Sequence, residues 1–147
     1  MTHRRIRSWI GSSIAIALLG GAPAVAAADI KGAAILDHPC GKVAVKQMGL
    51  VHAGKMEEAN KLTTKQMQDQ WKAMPAKDRD MMSGMMKAMS STEQQFANEV
   101  KANGTLAVNG QDATLTVQKT TKDASGSSTS TMTQKFKIDG AQCMISQ

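Results

Sequence analysis

Aromatic residues are nearly missing from this chain, which has no tyrosine, two phenylalanines and two tryptophans in 147 residues. Beyond the first 28 residues only Trp71, Phe96 and Phe136 remain. A groove for single-stranded nucleic acid sets stacking platforms beside its charges, and the lysines here are scattered rather than clustered, so no nucleic-acid partner is expected. Histidine is equally scarce. His38 and His52 fall on a turn and on a helix, far apart, and do not make a catalytic pair. The clustered acids, Glu57–Glu58 and Asp78 with Asp80, sit at helix starts, where carboxylates suit the helix dipole. There is no glycine-rich phosphate loop, no GxSxG and no zinc-ligand spacing. With no acid, base or nucleophile placed by the pattern, the chain reads as non-catalytic and without a cofactor.

Long hydrophobic runs are also lacking. His3, Arg4, Arg5 and Arg7 make a positive start, Ile14 to Leu19 supply a short apolar run, and Ala24-Val25-Ala26-Ala27-Ala28 offers small residues for a peptidase. A bilayer span needs about 20 apolar residues. Residues 1–28 therefore read as a cleaved export signal, cut near Ala26–Ala28, and the mature protein is expected in a bacterial periplasm with no stable membrane insertion. Removing them leaves 119 residues, enough for one domain over 29–147, and lowers the net charge from +6 to +3.

Two cysteines remain, Cys40 and Cys143, near opposite ends of the mature chain. In an oxidising compartment an even pair favours a disulfide. No CxxC spacing or neighbouring base activates either thiol, so a structural bridge is favoured over a redox or metal-binding pair.

The stretch 38–92 reads as helical. Asp37 or Pro39 opens a helix carrying Val43, Ala44, Gln47, Met48 and Val51, and Gly54 breaks it. Met56, Ala59 and Leu62 line one side of a short second helix. Pro75 starts a third, whose apolar face is almost wholly methionine: Met81, Met82, Met85, Met86 and Met89. At about 100° per residue these cover a stripe roughly 140° wide, a width that suits a face laid on a core. Methionine fills irregular interiors well, and here aromatics are too few to do so. Core filling is therefore the favoured role for the stripe. A second reading makes Met48, Met81, Met82, Met85, Met86 and Met89, with Phe96 and Phe136, a groove for a small apolar ligand or a periplasmic protein partner. A third makes Met81, Met85, Met89 and His52 a copper site, since thioethers are soft ligands.

From Phe96 the period changes to two, placing a sheet half over 95–146. Phe96, Val100, Ala102, Leu106 and Val108 share one parity. Asn109-Gly110 and Asp139-Gly140 are two-residue hairpin signals, and Asp123 to Ser127 marks a third turn. Taken as loops, the two pairs set Leu106 against Ala113 and Phe136 against Cys143. Four strands result, apolar on one face, so the expected architecture is α+β, with N-terminal helices packed on one face of a curved four-stranded antiparallel meander. The other face is rich in Thr, Lys and Gln, so it suits solvent better than an extensive homodimer interface.

This order, together with the segment Val43 to Ala59 around its glycine break and the closing hairpin Phe136-Lys137-Ile138-Asp139-Gly140, resembles the nuclear-transport-factor-2-like (cystatin-like) superfamily. Within it the chain is most similar to small exported bacterial proteins. A tryptophan usual in their last strand is replaced here by Cys143 or its neighbours. The resemblance implies a pocket between the helices and the sheet.

Overall fold

The computed structural model describes residues 27–124 and 126–147, so the expected export signal, apart from its last two residues, lies outside the described residues. Among the described residues, a strand, β1 (Ala28–Lys31), leads into six helices: α1 (Ala34–Asp37), α2 (Pro39–His52), α3 (Met56–Asn60), α4 (Lys65–Ala73), α5 (Ala76–Met89) and α6 (Glu93–Asn103). Four strands follow: β2 (Gly104–Asn109), β3 (Asp112–Asp123), β4 (Gly126–Asp139) and β5 (Gln142–Ser146). The class is α+β, with one antiparallel sheet in the order β1-β2-β3-β4-β5. No helix among the described residues is long and apolar enough to cross a membrane.

The sheet has five strands where four were expected. The addition is β1, in a stretch that reads only as a leader into the domain. Ile30 lies opposite Leu106 and packs on the core, while its neighbours are exposed. One inward apolar residue in four gives too little alternation to register as a strand.

The boundary between the halves also moves. The chain stays helical to Asn103, so the sheet half begins at 104 and not at 95. Phe96 and Val100 are four apart, a spacing that shares one face of a helix and one parity of a strand alike. Thr92 decides between them. Its hydroxyl accepts from the Gln95 N–H at 3.2 Å while Gln95 Oε1 accepts from the Thr92 N–H at 3.1 Å, a reciprocal cap that starts a helix.

Both hairpins form, each one position later than expected. The loops are Gly110-Gln111 and Gly140-Ala141, because Asn109 pairs with Asp112 and Asp139 with Gln142. Gly110 (φ 60°) and Gly140 (φ 58°) take the first loop position, where a II′-type turn requires positive φ. Leu106 therefore faces Leu115, and Phe136 faces Ile145. A shift of two residues leaves every side chain on its expected face.

That face carries the core. Leu106, Leu115, Val117, Phe136 and Ile145 from the sheet meet Ile35, Cys40, Ala44, Phe96 and Val100 from the helices. A disulfide joins Cys40, in the first turn of α2, to Cys143 on the inner side of β5, with Cα atoms 5.0 Å apart. It is compatible with an oxidising compartment. Pro39 occupies the first turn of α2, and His38 caps it, its Nδ1 accepting from the Cys40 N–H at 3.2 Å. The outer edge of β5 is covered by the linker after α3: Thr64 N–H donates to Ile145 O at 2.8 Å and Ile145 N–H to Leu62 O at 3.0 Å. This covers backbone groups that would otherwise invite pairing, and it anchors the turn from which α4 departs.

Candidate functional site

The methionine stripe of α5 does not fill the core. Neither α4 nor α5 contains a buried residue, and of the elements around it α5 packs substantially only on α2. The α5 residues that lose most surface are Arg79, Ser83 and the capping Ser90. On a helix of about 100° per residue these lie roughly 110° from the centre of the stripe. The helix is thus turned with a polar ridge toward the body and the methionines to the side and outward. Met81, Met85 and Met89 are 63%, 59% and 82% exposed, against 38% and 37% for Met82 and Met86. One stripe becomes two rows.

The inner row borders a cleft of about 230 Å³ enclosed by α2, α3, α4 and α5. Met56, Met67, Met74, Met82 and Met86 line it, together with Trp71. Val51 and Ala59 lie among them, and the polar remainder is Gln47, Asn60, Thr63, Gln70 and Gln147. None of these side chains carries a charge.

Hydrogen bonds hold the polar part in place. Thr63, the buried polar residue of the molecule's described part, donates to Asn60 O at 2.7 Å. Gln68 Nε2 donates to Thr63 O at 2.8 Å, which ties α4 to the turn before it. Trp71 Nε1 donates to Glu57 Oε1 at 3.3 Å and so fixes the indole plane. Gln134 Nε2 donates to Gln47 Oε1 at 2.6 Å, and Gln147 Nε2 to Gln70 Oε1 at 2.8 Å, linking the cleft to β4 and to the C-terminus. The ion pairs among the described residues involve none of the cleft-lining side chains: Lys55 with Glu58, Lys65 with Asp69, Lys119 with Glu99 and Lys137 with Asp112. The Lys65 ammonium hydrogen-bonded to Asp69 holds that exposed carboxyl below its ordinary range. Burial pushes the pKa of His38 down, in the direction that favours the neutral ring whose Nδ1 accepts from the Cys40 N–H.

The residues expected to form one groove are distributed over several places. Met82 and Met86 reach the cleft. Met48, Met89 and Phe96 border a second depression beside β3 and β4. Met81 and Met85 line neither of these and stand in solvent. Phe136, 1% exposed, belongs to the core under the sheet. His52 is the last residue of α2 and its ring lies beside Ser90.

Met56, Met67, Met74 and Trp71 are the lining residues that sequence reasoning did not assemble. Met67 and Trp71 are spaced four apart, but only the packing of α3 on α2, α4 on α3 and α5 on α2 brings them to Met82 and Met86. Compared with known proteins, the chain matches no protein-family model, no curated protein and no solved structure.

Proposed function

We propose that this protein is an exported, non-catalytic binding domain whose methionine-lined cleft takes a small uncharged apolar ligand, or the apolar side chains of a periplasmic protein partner. The observation that carries this is the lining: five thioethers and one indole from three helices and a linker, with no ionisable side chain among them. Ordinary ligand pockets are apolar with a few placed polar groups and span about 300–1,000 Å³. At about 230 Å³ this cleft suits a small molecule or one or two side chains. Methionine adapts its shape to what it meets. The light anchoring of α4 and α5 leaves that wall of the cleft free to adjust. Export is supported by the N-terminal order of basic, apolar and small residues and by the disulfide. Kinship with the nuclear-transport-factor-2-like superfamily belongs to the same proposal, supported by helices lying on one face of an antiparallel sheet.

Trp71 is the single tryptophan once residues 1–28 are gone, and it sits in the cleft. Titrating the mature protein with neutral N-phenyl-1-naphthylamine should change Trp71 emission saturably at one equivalent. Met86→Glu puts a carboxylate into an uncharged lining and should weaken binding at least tenfold. Met81→Glu, on the outer row, should not. A response that never saturates, or that both variants abolish equally, refutes the reading.

A further inference from the structure

A second group of donors, sharing only Met86 with the cleft lining, lies where the end of α2 meets the end of α5. His52 is exposed, and its Nδ1 lies 3.3 Å from the Ser90 carbonyl oxygen and 3.4 Å from Ser90 Oγ. A carbonyl oxygen can only accept. The Ser90 hydroxyl already donates to Lys87 O at 2.7 Å, so toward His52 its oxygen accepts as well. Both contacts therefore put a proton on Nδ1. In the neutral ring Nε2 then keeps its lone pair, and a carbonyl behind Nδ1–H is the arrangement that orients metal-binding imidazoles.

Met89 immediately precedes Ser90 and is 82% exposed. Met85 and Met86 lie one turn back, with Cβ atoms about 5–6 Å from that of Met89. Three rotatable bonds in each side chain allow two such sulfurs to meet on one ion. Met81 lies about 12 Å from Met89 along the helix axis. The quartet Met81, Met85, Met89 and His52 therefore does not form a single centre.

We propose that His52 Nε2, the Met89 thioether and one thioether from Met85 or Met86 form a surface site for a soft monovalent metal ion, Cu(I) or Ag(I). The thioether donors favour Cu(I) over the harder divalent cations, and imidazole is a good ligand for copper. Both cysteines are held in the disulfide and offer no competing thiolate. The ion binds without electron transfer and stays monovalent. The site stands on its own residues and shares only Met86 with the cleft.

The test uses the mature, disulfide-intact protein under anaerobic conditions without thiol reductant. Cu(I) supplied as its bicinchoninate complex should transfer to one equivalent of protein, and Ag(I) should bind with the same stoichiometry by calorimetry. X-ray absorption of the copper-loaded protein should show both sulfur and nitrogen ligands. Met89→Leu, His52→Ala and the double variant Met85→Leu/Met86→Leu should each weaken binding at least tenfold, while Met81→Leu leaves it unchanged. Leucine keeps the volume and apolar character of methionine, so the Trp71 response to N-phenyl-1-naphthylamine persists in Met89→Leu, and the two sites succeed or fail separately. Absence of both Cu(I) transfer and Ag(I) binding overturns the proposal, as does unchanged affinity in Met89→Leu and His52→Ala.

Discussion

Alanine replacing Gly41, Gly49 or Gly84 tests how the helices are packed, because the substitution is the same and only the surroundings differ. In an exposed helix interior alanine is favoured over glycine by about 0.8–1.0 kcal/mol. At Gly84 a Cβ would meet nothing within 4 Å, so Gly84→Ala should stabilise by close to that amount. At Gly49 the new carbon would lie 2.9 Å from Glu93 Cβ, where α2 crosses the start of α6, and the gain should be cancelled or slightly reversed. At Gly41 it would lie 1.8 Å from Ile35 O and 2.7 Å from Ile35 C, both backbone atoms. Helix α1 would have to retreat by more than an ångström, pulling out Ile35, whose side chain is fully buried. Overpacking of this kind costs about 1–3 kcal/mol, and losing part of the burial of an isoleucine adds to it. After the propensity gain is subtracted, Gly41→Ala should destabilise by about 2–4 kcal/mol. Urea unfolding with the disulfide intact, read as midpoint shifts at constant slope, measures all three. A Gly41→Ala variant within about 0.5 kcal/mol of the parent, or one no worse than Gly84→Ala, would show that α1 does not sit on α2 as described.

Two further outcomes follow from the same packing. Replacing both Cys40 and Cys143 by alanine frees a loop spanning a sequence separation of 103 and should cost about 4.7 kcal/mol on the chain-entropy argument, a large share of the ~5–15 kcal/mol typical of a domain. A loss below about 1 kcal/mol in urea unfolding would contradict that. Stability should also fall with acidification through His38. Its pKa is lowered in the folded state by burial, so between the folded and unfolded values the unfolded chain binds more protons. The His38 contribution is complete above the unfolded pKa near 6.5, declines as pH drops through it, and levels off below the folded pKa. His38→Asn keeps a cap without titrating, so the difference between its pH profile and that of the parent isolates this effect. Identical profiles would place the pH dependence elsewhere.

Much of the fold was legible in short-range chemistry. Pro39 and Gly54 bracket α2, two glycine turns make two hairpins, and the alternation along β3, β4 and β5 chose the correct face even though each register moved by two. The spacing of Phe96 and Val100 was ambiguous between helix and strand. The resolving signal, Thr92 with Gln95, is present in the sequence but weak beside the apparent alternation. Strand β1 was not legible, because four residues with one inward side chain find their place only against β2. The disulfide could be expected from an even pair of cysteines. Its position was legible too: the hairpin register put Cys143 on the inward face of the last strand, toward Cys40 at the head of the first helix, and the bridge joins them there.

The sequence by itself determined most of the helical and extended segments, which strand face is apolar and which two thiols pair, because caps, turn glycines and side-chain periodicity act over a few residues; β1 and the end of α6 were the exceptions. The tertiary structure alone decided what the methionines do. Periodicity shows that five of them share a stripe, but not the direction in which that stripe points. Helix α5 packs through its polar ridge at Arg79 and Ser83, so the stripe splits into an inner row at the cleft and an outer row in solvent. The orientation of a helix about its own axis depends on what neighbouring elements leave room for, and that is a property of the packed whole.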